Sequence, residues 1–165
     1  MTRCAGPIGC GGERTHPFSE HFSTQENGAT MEYTGSRMIK AADTAIANIL
    51  VDIRRLPEWN PAILSVPTDD SRAVAQKEYS IRAKLPGSPT ITYDEVSRGQ
   101  IIWRLDGFQA HETGTWKLVP VTEQITEVTH IITHSGALFR VLAGAFQSVP
   151  GLRLDRLQRR AEYGE

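Results

Sequence analysis

Residues 46–61, IANILVDIRRLPEWNP, decide how the rest of the chain is read. Ile46, Ile49, Leu50 and Ile53 fall at i, i+3, i+4 and i+7, which makes one apolar helical stripe, and Asp43 stands where the N-cap is expected. Pro57 and Pro61 predict that the helix stops there and holds Glu58, Trp59 and Asn60 in a short, stiff turn. Residues 32–39 just upstream read as a first strand, so a helical pair follows one strand.

Downstream of this run the apolar period changes from 3.6 to 2. Alternating or apolar segments cover residues 62–67, 77–85, 90–98, 100–106, 111–119 and 124–133, separated by turn-rich pieces such as residues 68–71 (TDDS) and 86–89 (PGSP). They predict an antiparallel meander. The helical period returns with Leu138, Leu142, Ala145, Phe146 and Val149, then Leu154, Leu157 and Ala161, predicting a long C-terminal helix kinked at Pro150. A sheet of this size must bury one face, and the terminal helix is the one predicted element long enough to cover it.

Composition narrows the function classes. The 165 residues carry 18 Lys+Arg against 19 Asp+Glu, a net charge of -1, so no general basic surface points to nucleic acid. The two cysteines, Cys4 and Cys10, have no further ligands in a metal-binding spacing, so neither a metal nor another cofactor is expected. No apolar run approaches the roughly 18 residues that span a bilayer, and no secretory signal is evident, which predicts a cytoplasmic protein without integral membrane association. Residues 1–30 are rich in glycine (Gly6, Gly9, Gly11, Gly12, Gly28) and hold only Ile8, Phe18 and Phe22 as large apolar side chains. They are expected to form a disordered extension, with residues 31–165 as one domain.

Taken together, the LPEWNP turn, the IIWRLDG, GTWKLVPV and TEVTHIITH strands and the closing LFRVLAGAF…LDRLQRRAE helix resemble the START-like, Bet v 1-like superfamily. This group is also called SRPBCC, or polyketide cyclase/dehydrase and lipid transport. The resemblance spans residues 31–165. It implies an α+β helix-grip fold, in which a curved antiparallel sheet of about seven strands wraps a long C-terminal helix, with two short helices after the first strand. It further implies an interior that takes an apolar or aromatic ligand, and a scaffold used by binding proteins, transporters and enzymes alike.

Strand alternation nominates the lining of that interior. Tyr79 shares a face with Ile81, Ala83 and Leu85, while Ile91 and Tyr93 are read together with Glu95, and Trp103 lies between Ile101 and Leu105. Glu112, Gly114, Trp116 and Leu118 form another inward row, and Val128, His130, Ile132 and His134 the last. Apolar walls with a few polar groups are the composition of a ligand pocket. Trp59, Tyr79, Tyr93, Trp103, Trp116, His134 and Phe146 are therefore the candidate ligand contacts. His130 and Glu112 are the candidate acid/base residues, since imidazole titrates near neutrality and a buried carboxylate can be raised toward it. His130 and His134 are about 13 Å apart along a strand, too far to hold one metal. The series Arg153, Arg156, Arg159 and Arg160 reads as a solvated helix face.

Three functions follow as expectations. The first is binding or transport of a small hydrophobic molecule such as a lipid, polyketide or aromatic compound. The second is a cyclase or dehydratase whose cavity acid/base moves a proton, and the third a protein-interaction module using Trp59 and the basic terminal helix. Trp59 is expected at the rim of the interior, as a gate. Whether the chain forms a homodimer stays open.

Overall fold

The computed structural model describes residues 22–27, 30–84, 86–141 and 143–164. Nine strands and five α-helices lie among them in the order β1 (Phe22–Asn27), β2 (Thr30–Ile39), α1 (Asp43–Val51), α2 (Leu56–Trp59), β3 (Ile63–Ser65), β4 (Glu78–Ser80), β5 (Arg82–Ala83), β6 (Thr90–Val96), β7 (Gln100–Gly107), β8 (Ala110–Thr122), β9 (Ile125–Ser135), α3 (Ala137–Val141), α4 (Ala143–Phe146) and α5 (Val149–Tyr163). Seven strands make one curved antiparallel sheet in the order β1-β2-β9-β8-β7-β6-β4, and β3 and β5 form a separate two-stranded ribbon. Helix α5 lies across the inner face, packing on β2, β9, α1 and α2.

Alternation along the strands accounts for that inner face. Ile101, Trp103 and Leu105 of β7, Glu112, Gly114, Trp116 and Leu118 of β8, and Val128, His130, Ile132 and His134 of β9 are all buried, while most of their alternating neighbours are not. Ile46, Leu50, Val51, Ile53 and Leu56 close one end of this core together with Leu154 and Leu157 of α5. Ion pairs on the rim hold α5 in place. Arg37 of β2 bonds Asp155, Arg160 reaches Glu58 of α2 at 3.0 Å, and the Lys40 amide donates to Glu162 at 2.8 Å.

Local chemistry moves several boundaries away from the sequence reading. The chain is paired already at β1, whose residues Phe22–Asn27 run antiparallel to β2 inside the segment expected to be unstructured; residues 1–21 lie outside the described residues. Asp43 is the first helical residue of α1 rather than its cap. Its Oδ1 accepts the Thr44 amide and its Oδ2 the Arg98 guanidinium, so the carboxylate still serves the positive end of the helix. Pro57 does not stop a helix but sits in the first turn of α2, where its missing N–H has no helical partner to lose. The break falls earlier, at extended Asp52, and is followed by a single 3₁₀ turn over Ile53–Arg55.

The same rule governs Pro150. A turn at residues 147–148 interrupts the predicted terminal helix, and Pro150 sits in the first turn of α5. Residues 77–85 likewise do not form one strand. The Ile81 amide donates to Pro89 O, and beyond it β5 leaves the main sheet to pair with β3. At the opposite end of the molecule Gly136 turns β9 into α3 with φ +102°, and a Cβ there would lie 2.3 Å from Gln109 O.

Candidate functional site

Two aromatic clusters share the space between the sheet and α5. In the larger one Trp59 packs edge-on against Trp116, with ring centroids 5.5 Å apart, and is tilted against Trp103 at 6.3 Å. His130 stacks on Trp116, its cross-strand neighbour, at 3.6 Å and 5°. The smaller cluster surrounds His134, which stacks on Phe139 at 4.0 Å and meets Phe146 and Tyr33 edge-on at 4.8 and 5.6 Å. Trp103 owes its position to a missing side chain. A Cβ on Gly114, its cross-strand partner on β8, would lie 2.3 Å from the indole carbons, so the ring lies flat against bare backbone.

One ion pair joins the two clusters. Arg153 of α5 donates from Nη1 to Glu112 Oε1 at 2.6 Å, and His134 Nε2 lies 2.7 Å from Glu112 Oε2. The guanidinium carbon of Arg153 also stands 5.3 Å from the centre of the Trp103 ring. Burial pushes the Glu112 carboxyl up, but the Arg153 charge and the His134 N–H more than reverse this and hold it at about 2. Glu112 is therefore a carboxylate, and His134 must donate from Nε2. His130 is governed by the opposite logic. Burial, reinforced by the Arg153 charge, drives its basicity well below the ordinary histidine range, and its Nδ1 lies 3.2 Å from the Thr115 carbonyl oxygen. A carbonyl only accepts, so Nδ1 carries the proton and Nε2 presents a bare lone pair.

The buried polar atoms left without a protein partner are concentrated in this region. Nε1 of Trp59, Trp103 and Trp116, Nε2 of His130, Nδ1 of His134 and Nε of Arg153 are buried and make no hydrogen bond among the described residues. A buried donor left unpaired costs about 1–3 kcal/mol, so several in one contiguous cluster demand a cause.

The fold treats the sequence candidates unequally. Trp59 lies at the centre, completely buried, not at a rim; the interaction-module reading loses the exposed apolar patch it needed there. Tyr79 and Tyr93 do point inward, but their hydroxyls are already engaged. Tyr79 donates to Asp70 at 2.8 Å and accepts the Val74 amide, and Tyr93 donates to Leu50 O at 3.0 Å. Glu95 faces out, because a bulge between Tyr93 and Glu95 shifts the register, and it bonds Ser97 and Gln100 instead. Phe146 is half-buried beside His134. His130 and Glu112, the two acid/base candidates, are not paired with each other; of the two histidines it is His134 that Glu112 holds.

Arg153 is the residue the sequence reading missed. Its sequence context predicts a solvated face, yet it is 1% exposed. Its one sequence signal is position, directly before Leu154 and four residues before Leu157 of the apolar stripe. Among the described residues no three His, Cys, Asp or Glu side chains gather as a metal site, and no helix is long and apolar enough to cross a membrane.

No protein-family model matches the chain, and no curated protein matches it in sequence. Its likeness to solved structures is close in shape and distant in sequence. A START superfamily protein from Mycobacterium smegmatis is similar with a TM-score of 0.62 at 17% identity, over 81% of this chain and 99% of that one. The di-domain ARO/CYC StfQ from the steffimycin biosynthetic pathway is similar at 0.63 and 12%, over 81% of this chain and 51% of its own. Norcoclaurine synthase of Thalictrum flavumn, at 0.59 and 11%, is covered over 96% of its length and 82% of this chain. The chain has the helix-grip fold of the START-like, Bet v 1-like superfamily.

Proposed function

We propose that the protein binds a small, largely aromatic or hydrophobic molecule between the sheet and α5, with Trp59, Trp103, Trp116 and Phe146 as its apolar contacts. The observation that carries this reading is the convergence of unpartnered buried polar atoms on one aromatic cluster. Indole and guanidinium N–H groups seek acceptor oxygens, and His130 Nε2 seeks a hydroxyl. A ligand that is mostly ring, with oxygens on its edge, meets both needs at once. The neighbours named above, a START superfamily protein and an ARO/CYC protein among them, favour the same general class.

Native mass spectrometry of protein purified from its own host tests the reading. The expected result is a small molecule that is retained under native conditions and released on denaturation. An empty protein whose tryptophan fluorescence is also unmoved by bicyclic aromatic ketones would defeat it.

A second reading, an enzyme of the cyclase or dehydratase kind, is favoured by one specific observation. Two buried histidines are each fixed in one tautomer, His130 by Thr115 O and His134 by Glu112, and each leaves its other ring nitrogen without a protein partner. Such a nitrogen can receive a proton from a bound molecule.

A further inference from the structure

We propose that His134 is the proton acceptor of this interior, held by Glu112 and Arg153, and that it takes a proton from a carbon next to a carbonyl group of the bound molecule. The proposal rests on the ligand-binding reading above and goes beyond it by assigning the base and the substrate class.

His134 and His130 differ in what stands behind them. A proton added to His130 Nε2 would create an imidazolium whose other nitrogen meets only the Thr115 carbonyl, against a stacked indole and within the field of Arg153. A proton added to His134 Nδ1 creates one whose Nε2–H already points at a carboxylate 2.7 Å away. Glu112 is in turn held by Arg153 at 2.6 Å, which keeps it ionised and aligned. This is the arrangement in which a carboxylate orients an imidazole, fixes its tautomer and stabilises its charged form. Glu112 from β8 and Tyr33 from β2 face the His134 ring, and Arg153 from α5 faces it through Glu112. Nδ1 is fully buried and has no protein partner. Phe139 covers one ring face, and half-buried Phe146 packs edge-on with the ring.

The substrate class follows from Arg153. The guanidinium that holds Glu112 through Nη1 leaves Nε–H unpartnered, beside Trp103, whose own Nε1–H is unpartnered too. Both are donors awaiting an oxygen, and one of them belongs to the same group that anchors the base. A carbonyl oxygen received there lets the neighbouring C–H bond break. The proton passes to His134 Nδ1, and the electron pair moves onto the oxygen as an enolate, which the same donors stabilise. The imidazolium then returns its proton to carbon or oxygen. The outcome is an isomerisation without net oxidation or co-reactant.

The test uses 2-tetralone, a bicyclic ketone, with its binding followed by tryptophan fluorescence and loss of its C1 protons in D₂O followed by NMR. The intact protein is expected to accelerate exchange by at least about 10²-fold over buffer, the usual reach of a positioned base, and His134→Phe to remove that acceleration. Glu112→Gln keeps the shape but not the charge. It should slow exchange and move the rising limb of the pH–rate profile to lower pH, since the imidazolium loses its counter-charge; a merely structural carboxylate would not move that limb. If His134→Phe does not fold, imidazole ¹⁵N correlation on the unaltered protein still decides the tautomer, with Nε2 protonated and Nδ1 bare. The opposite tautomer, exchange that survives in folded His134→Phe, or bound 2-tetralone that does not exchange would overturn the proposal. Failure of 2-tetralone to bind would overturn it together with the ligand-binding reading.

Discussion

At the scale of single residues, Glu112 and His130 show how one interior sets two titratable groups in opposite ways to similar effect on stability. The Glu112 carboxyl ordinarily titrates at 4.5 and is held at about 2 in the fold, so the unfolded chain binds its proton first as pH falls. Stability from this group is complete above pH 4.5 and is lost as pH drops toward 2. The difference amounts to about 3 kcal/mol by linkage. For His130 the folded state also refuses the proton, so folding weakens as pH falls below the ordinary histidine value of 6.5. Thermal unfolding followed against pH should therefore show two descending steps. His130→Phe, which keeps a ring to stack on Trp116, should remove the upper one and Glu112→Gln the lower. A curve left unchanged by His130→Phe would mean that the ring is solvated in the native state. Gly114 belongs to the same scale. Gly114→Ala forces the Trp103 indole off the backbone and is expected to destabilise the fold by about 1–3 kcal/mol, with a shifted tryptophan emission maximum.

At the scale of elements, α5 is held by more than its apolar stripe. Leu154 and Leu157 bury in the core as their period requires, but Arg153 enters beside them and is compensated by Glu112 from the sheet. Removing one partner of such a pair strands the other charge. Arg153→Met should cost about 3–5 kcal/mol of unfolding free energy measured in urea, and adding Glu112→Gln should restore part of it. Purely additive losses in the double variant would show that the two groups do not interact. The elements around α5 were legible to different degrees. The inward rows of β7, β8 and β9 could be read directly, since strict alternation over eight or more residues admits one register. The ends of α1 and α5 could not, because a proline is compatible with either the end or the beginning of a helix, and the backbone hydrogen bonds on each side choose between them.

At the scale of the whole molecule, the sheet and α5 enclose two aromatic clusters whose polar atoms are only partly satisfied by protein. A ligand that supplies the missing partners binds the folded state alone and must raise its stability. On the proposed function, a bicyclic aromatic ketone such as 2-tetralone, added at 100 times its Kd, should stabilise the protein by about 2.7 kcal/mol, read as an upward shift of the unfolding midpoint. Trp103→Phe removes one indole donor without emptying the space and should diminish that shift. An equal shift in the variant would place the ligand elsewhere.

Residue pattern by itself determined the sheet-and-helix architecture, the inward faces of the long strands and the burial of most of their aromatic residues, because each of these rests on periodicity within one segment. Tertiary structure decided what the polar groups do. Whether Glu112 meets His130 or His134 depends on the register between β8 and β9, and whether Glu95 turns in or out depends on a one-residue bulge in β6. Arg153 becomes a buried cation only because an acidic side chain distant in sequence lies across from it. Trp59 passes from an expected rim to the centre because α2 folds back over the indoles of β7 and β8. Hydrophobic period is a local property of the chain, whereas charge compensation and hydrogen bonding couple residues many positions apart, and those pairings exist only once the sheet has closed on α5.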